Sequence, residues 1–449
     1  MMKHKQKTPV RNFAIRARIY PDDQQRQTFA KTFGCCRKYW NLALEAWQQT
    51  SSVITPAAYK NDYPYLAEID SSALCNKQLD LAKAIKNHKS NPDHFNEPQF
   101  KAKFFAKKSY STCRNKRDDN IHLCVDENRN VTGLRLPKVK DPVSIVMHRC
   151  PPKNAELKKV TITCEPDQTY YASLLYEIPC EEYAFTGNLD NAVGIDYSSH
   201  DFGVTSDEQV LKPPHAYRNA EKRLALQKRR LSHMQGPRDE QGCKQTPSAN
   251  YLKQRRRIAR AEAHVRRIRK DFIEKTSTEI TDRYDVIVFE DIDLRQQAKA
   301  KRTDEQKSGK RRKGPRFGKS VHDNGFGMFR NRVEQKAEEK GKLVIYIDKW
   351  FPSTQTCSVC GYRNTDLRGI TSLGTRQWTC PHCKAEHDRD VNAARNIREK
   401  GKQTLVELTH KTGGFPGIAS LCSDGTDHRS KRKTCSQEQK APTSNALTH

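Results

Sequence analysis

Long apolar runs are missing from this sequence: no stretch approaches the roughly 20 residues that a membrane-crossing helix needs, and the opening "MMKHKQKTPV" lacks the apolar segment of a secretory signal. The expected compartment is therefore the cytoplasm. Acidic residues are in short supply as well. There are 53 Asp and Glu against 82 Lys and Arg, and the resulting net charge of +29 points to a polyanionic partner. Nucleic acid fits better than a membrane surface, because the basic residues run through the whole chain and do not gather in one juxtamembrane cluster. The cysteines lack a disulfide pattern. Their total of 15 is odd, only four stand at ligand spacing, and others such as Cys75, Cys150 and Cys164 fall at irregular intervals, as reduced thiols do.

The 449 residues are enough for two to four domains. The segment "NFAIRARIYP" alternates Phe13, Ile15 and Ile19 and closes on Pro21, which predicts a strand ending in a turn. Phe33, Cys36, Trp40, Leu44 and Trp47 then recur at steps of three and four, the face of a helix, and such a stripe is more often core than a base-stacking platform. A second helix is expected over about 71–90. From about 100 to 186, "IHLCVDEN", "VTGLRLP", "PVSIVMHR", "KKVTITCEP" and "TYYASLLYEIP" read as short strands of a small β unit, expected to be a barrel that includes the first strand. Its basic, aromatic entry "FKAKFFAKKSYSTCRN" suits contact with a phosphate backbone, although lysine also blunts exposed sheet edges.

A fresh α/β pattern starts at 191. "NAVGIDYSS" is an apolar run ending in Asp196, with "DFGVTSDE" as its hairpin partner. Two strongly basic helices follow between about 216 and 281. Ile258, Ala261, Val265, Ile268 and Phe272 in the second, with Leu224 and Leu231 in the first, give the seam of an α-hairpin whose arginines face outward toward phosphates. "YDVIVFEDIDL" reads as a buried parallel strand ending on Glu290. The loop "KAKRTDEQKSGKRRKGPRFGKS" carries too many charges and glycines to fold alone. A helix "GMFRNRVEQKAEEKG" and a strand "KLVIYIDKWFP" then lead into the cysteines.

Cys357-x-x-Cys360 and Cys380-x-x-Cys383, nineteen residues apart, have the spacing of a four-thiolate zinc site. Four thiolates close the coordination sphere, so His382 and His387 are read as non-ligands and the zinc as structural. Any chemistry then falls to carboxylates. Asp196, Glu290 and Asp390 stand where strands or a helix begin or end, and acids of this kind suit Mg²⁺, a hard ion that keeps oxygen ligands. Singly, each has an ordinary structural role: Asp196 a strand-end turn residue, Glu290 an exposed acid beside Asp291, Asp390 the N-cap of "VNAARNIREK".

Their order changes that weighting. An acid ending a first strand, an acid ending a later buried strand and an acid opening a late helix form the arrangement of the RNase H-like nuclease fold. At these positions "GIDYSSHDFGVTSD", "VIVFEDIDL", "DKWFPSTQTCSVCG" and "CPHCKAEHDRDVNAARNI" resemble the RuvC-like blocks and zinc ribbon of the TnpB proteins of bacterial insertion sequences, blocks shared with miniature type V CRISPR effectors. The resemblance spans roughly residues 10–400 and extends to the N-terminal "RIYPDDQQ" and "CRKYWNLAL".

The resemblance implies an RNA-guided DNA endonuclease, with guide RNA and target DNA as partners and association with a transposable element. It matches Asp196, Glu290 and Asp390 to Mg²⁺-binding catalytic acids, and Cys357, Cys360, Cys380 and Cys383 to zinc ligands. Asp388 competes with Asp390 for the last position, and Ser198-Ser199 replaces a glycine common in the family. The implied architecture is multidomain α/β: a wedge-like β-barrel over 1–20 and 100–190, a helical recognition insertion over 21–99, an RNase H-like (RuvC-like) domain over 191–353 and 387–407, a zinc ribbon over 354–386 and a disordered tail over 408–449. A strand-transferring transposase using the same acids, and a non-catalytic zinc-ribbon regulator, are the competing readings.

Overall fold

The computed structural model describes residues 10–103, 107–115, 117–152, 154–179, 185–198, 201–236, 238, 242, 245–292, 323–367, 375–412 and 420–422. The basic loop at 299–320 and the segment 423–449 lie outside them. The chain forms two compact units, Met1–Glu181 with Arg230–Arg260, and Glu182–Arg229 with Ala261–His449.

The first unit is built on strand β1 (Val10–Tyr20), in which Phe13, Ile15, Ala17 and Ile19 are buried while Arg16 and Arg18 face out, a strict period of two. Helix α1 (Asp23–Thr50) follows at once. Asp22 caps it through a reciprocal pair, its side chain accepting from the Gln25 amide while the Gln25 side chain accepts from the Asp22 amide. Helix α2 (Ser71–Ser90) starts at the cap Asp70. Strands β2 (Lys108–Cys113), β3 (His122–Val125), β4 (Val131–Arg135), β5 (Val143–Val146), β6 (Glu156–Cys164) and β7 (Tyr170–Pro179) complete an antiparallel sheet in the order β2-β6-β7-β1-β5-β4-β3. The helix stripe Phe33, Cys36, Trp40 and Leu44 lies in the same core as the inner residues of β1, β6 and β7.

Here the expected barrel is corrected. The sheet is open, with β2 and β3 as its edges, because α2 occupies the side of β2: the Cys113 amide donates to Ser72 Oγ at 3.0 Å, and the Asn76 side chain meets the Cys113 sulfur. A helix thus covers an edge that a closed barrel would pair.

The second unit has a six-stranded sheet of β8 (Ala192–Ser198), β9 (Phe202–Thr205), β10 (Val210–Leu211), β11 (Val286–Glu290), β12 (Leu343–Ile347) and β15 (Ser420–Cys422), in the order β10-β9-β8-β11-β12-β15. The first three are antiparallel neighbours, and β8, β11, β12 and β15 run parallel. Between them come α3 (Ala216–Ser232), α4 (Ala249–Arg283), α5 (Phe326–Glu339) and α6 (Arg389–Thr412). Strands β13 (Gln377–Thr379) and β14 (Glu386–Asp388) make a separate hairpin.

Two apolar layers hold this sheet. Val193, Ile195, Ile287, Phe289, Val344 and Tyr346 face α5 and the end of α4, where Phe272 leaves the predicted hairpin seam to meet the Phe202 ring at 5.0 Å. The alternate residues Ala192, Val286, Val288, Leu343 and Ile345 face α6. The seam between α3 and α4 is formed by Ala216, Leu224 and Val265, with Ala220, Ala261 and Ile268 packed against them.

The expected tail begins too early: α6 continues to Thr412, and Ser420–Cys422 pairs with β12 as the last strand, because Leu408 and Leu421 enter the core under α6. The boundary at 386/387 also cuts the hairpin, since β14 extends to Asp388.

Helix α6 lies almost on the sheet backbone. A Cβ added at Gly194 would come within 2.1 Å of the Ala394 carbonyl oxygen and 2.5 Å of the Arg398 nitrogen, and one at Gly401 within 2.5 Å of both Val288 methyls. Backbone atoms cannot move aside as side chains do. Gly194→Ala should therefore lower the unfolding free energy by about 3 kcal/mol in urea denaturation, whereas Gly34→Ala, in mid-helix with nothing within 4 Å of its Cβ, should be neutral or stabilising.

Candidate active site and metal centre

Strand parity brings two of the acids together. Asp196 follows Ala192 by four residues in β8, and Glu290 follows Val286 by four in β11, so both lie on the α6 face of the sheet. The parallel register Val286↔Ala192 to Phe289↔Ile195 makes Glu290 and Asp196 the next neighbours across the two strands. Asp390 lies in the first turn of α6, above the same face.

All three carboxyls are raised, and Asp196 also feels the other two. Burial raises Asp196 well above the usual carboxylate range, and the charges of Glu290 and Asp390 add to the rise. Burial likewise pushes Glu290 up to about 7, against a hydrogen bond from Ser353 that favours its ionised form. Asp390 is raised by burial, with the Arg376 guanidinium 2.5 Å away opposing the effect. Like charges in a dry site cannot all ionise without a compensating cation.

The carboxylate oxygens nevertheless do not meet as a ready ligand set. Among the described residues, only Cys357, Cys360, Cys380 and Cys383 form a cluster of ligand atoms, all within 4.8 Å of one another. Glu290 is taken by the Ser353 hydroxyl and Asp390 by Arg376. Of the two late aspartates, Asp388 accepts through Oδ1 from the amides of Asp390 and Val391 at 3.0 Å each, so Asp388 and not Asp390 is the helix cap.

The four sulfurs fit a tetrahedral ion. Cys357 to Cys383 and Cys360 to Cys380 are both 3.7 Å apart, close to the roughly 3.8 Å edge that follows from metal–sulfur bonds of about 2.3 Å. Each pair sits on a tight turn whose next residue is left-handed, Gly361 at φ 75° and Lys384 at φ 60°. His387 stays outside the cluster with Nε2 at 3.0 Å from Cys357 Sγ, its ring against Trp378 at 4.7 Å. That contact is a hydrogen bond to sulfur, a supporting role common around metal-bound thiolates.

Several residues that position these groups were not singled out in the sequence. Asn396 donates from α6 to the carbonyls of Ser353 and Thr356, and Asn392 to that of Thr356 while accepting from the Ser358 amide. Both asparagines fix the loop before Cys357 to the helix that carries Asp390. Ser353 in that loop also holds Glu290. Arg330, nearly buried on α5, donates to the carbonyls of Glu290 and Ile292 and steadies the end of β11. The available signal was two amides four residues apart on a helix face otherwise built from Ala393, Ala394 and Ile397, where a polar residue needs a partner.

Comparison with known proteins gives this geometry a family. Residues 326–397 match a family described as "Cas12f1-like, TNB domain", 174–301 one described as "Probable transposase", and 11–51 one described as "Helix-turn-helix domain". A Streptomyces pristinaespiralis protein named "Putative RNA-guided DNA endonuclease" is 30% identical over 436 residues, covering 92% of this chain and 91% of that one. The chain belongs to the TnpB family. The Escherichia coli K12 relative InsQ is 27% identical over 215 residues, covering 48% of this chain and 50% of its own. A solved Cas12f1–sgRNA–target DNA complex aligns at a TM-score of 0.47 with 12% identity, over 84% of this chain and 83% of that one. In this TnpB-family chain the segment 11–51 holds no helix-turn-helix: it is strand β1 and a single unbroken helix.

The raised acids should be visible in stability. Glu290 is protonated below about 7 when folded and below 4.5 when unfolded, so the folded state loses stability as pH rises from 4.5 to 7, and the cost is fully present above 7. At about 1.4 kcal/mol per pKa unit, Glu290→Gln measured without added divalent cation should gain roughly 3–4 kcal/mol at pH 8 and nothing at pH 4. A gain independent of pH would contradict the raised value.

Proposed function

We propose that this chain is a guide-RNA-directed DNA endonuclease whose phosphodiester hydrolysis takes place at Asp196, Glu290 and Asp390. The observation that carries the reading is the convergence of two strand-end acids and one helix-start acid on one sheet face, each with its ionisation suppressed by burial and the first also by its neighbours. The strand order β10-β9-β8-β11-β12 with α6 across it supports an RNase H-like, RuvC-like assignment.

Magnesium suits these residues: all donors are hard carboxylate oxygens, and their raised pKa values mark a site that gains from a cation. A pair of such ions would supply an activated water and charge stabilisation at the leaving oxygen. The chain's own contribution is positioning. Gly194 lets α6 approach, Asp388 caps it, Ser353 and Arg330 fix Glu290, and Arg376 holds the Asp390 carboxylate until a cation competes for it.

The Cys357, Cys360, Cys380 and Cys383 cluster is consistent with a structural zinc. Among the described residues, the apolar cluster of the module adds just Leu367 and Trp378 to the cysteines, too little core to fold unaided. We assign the guide RNA and target DNA to the basic surfaces, including the exposed Arg223, Arg229, Arg266 and Arg267 of α3 and α4, which would hold a duplex by its backbone while pairing selects the target. The domain names given above (wedge-like sheet, recognition insertion, zinc ribbon) rest on the same reading, as does a cytoplasmic site of action.

Copurified RNA, once sequenced, should direct cleavage of a matching duplex in Mg²⁺. Asp196→Ala and Glu290→Ala should each cut at least ~10³-fold more slowly while retaining RNA. Full activity in either would remove the site assignment, and strand-joined products with donor ends would favour the transposase. Cys380→Ser should lose zinc, measured by atomic absorption, and melt at lower temperature.

A further inference from the structure

The turn between β12 and the first cysteine pair carries an unusually open side chain. Trp350 in that turn is 79% exposed, the most open of the large apolar side chains among the described residues, whereas Trp40 and Trp378 are buried. An indole is normally covered when nothing external uses it.

The turn is rigid. The Trp350 amide donates to Asp348 Oδ1 at 2.9 Å, the Phe351 amide to the Asp348 carbonyl at 3.1 Å, and the Ser353 amide to the Phe351 carbonyl at 2.8 Å. Phe351 packs into the core under α6, which fixes the backbone next to the indole. Three residues onward, Ser353 hydrogen-bonds Glu290, so the indole is rooted within roughly 10 Å of chain from that acid's partner. Lys349 places its ammonium 5.1 Å from the ring centroid. The Asp348 carboxylate accepts from the Trp350 amide, so its bonded oxygen is directed at the backbone of the turn.

A rigid exposed aromatic with a cation beside it matches a single-stranded nucleotide, whose base stacks while its phosphate meets the lysine. We propose that Trp350 and Lys349 form a stacking platform that seats one base of single-stranded DNA beside the Asp196, Glu290 and Asp390 acids. The platform rests on the nuclease reading for its purpose, but not for its binding chemistry. Every base has a stacking face, so the platform is indifferent to sequence. It therefore suits a strand whose identity has already been set elsewhere by base pairing.

The test uses full-length protein as purified, a 20-nucleotide oligo-dT probe and no divalent cation, so that binding is read without cleavage. Wild-type indole emission should be quenched by the probe, and the quench should vanish in Trp350→Phe. Trp350→Ala should bind about tenfold more weakly, Trp350→Phe within about threefold of wild type, and Lys349→Ala should lose affinity with a shallower salt dependence. Unchanged affinity in Trp350→Ala would overturn the platform. So would a melting temperature lowered by more than about 5 °C, which marks a structural indole, or a sedimentation shift from dimer to monomer, which marks a protein contact. If instead Asp196→Ala cleaves normally while Trp350→Ala loses the probe, the acid assignment fails and the platform stands.

Discussion

The site depends on one contact made without side chains: the backbone of α6 resting on strand β8 at Gly194. A helix on a sheet usually stands off by the length of the side chains between them. Here the spacer is removed at Gly194, and again from the helix side at Gly401, so the start of α6 descends onto the ends of β8 and β11. Asp390 then joins Asp196 and Glu290 on one face. Burial raises all three carboxyls, which is what the proposed cation site requires.

The cysteine module extends the same constraint. Its first turn is tied to α6 by Asn392 and Asn396, its preceding loop to β11 through Ser353 and Glu290, and its hairpin to the helix start through Arg376 and the Asp388 cap. A metal at the four sulfurs would rigidify every one of these links. The module is thus tied to the acids by hydrogen bonds, which gives the cysteine pairs a reason to stand beside an acid step in the sequence.

How far the sequence reveals this depends on the range of the interaction. Strand and helix periods are local, so β1, β8, β11 and the stripe on α1 follow from alternation, and the cysteine cluster follows from spacing alone. Closure of the first sheet is not legible in the sequence, because alternation cannot say whether an edge meets another strand or a helix, here α2. The last strand is not legible locally, because three residues after the Gly- and Pro-containing stretch 413–419 carry no period, and only pairing with β12 makes them a strand. Asp388 and Asp390 stayed ambiguous for a similar reason: a cap is defined by where the amides point. Gly194 was visible as a letter, but its meaning lies in a helix 200 residues away.

The central claim is that Asp196, Glu290 and Asp390 make one cation site once Arg376 and Ser353 release them. Crystals grown with Mn²⁺ and examined by anomalous diffraction test it directly. Anomalous density bounded by these three carboxylates, with Asp390 detached from Arg376, is the predicted result. Mn²⁺ bound elsewhere, with the Arg376–Asp390 and Ser353–Glu290 contacts intact at saturating metal, would contradict the account.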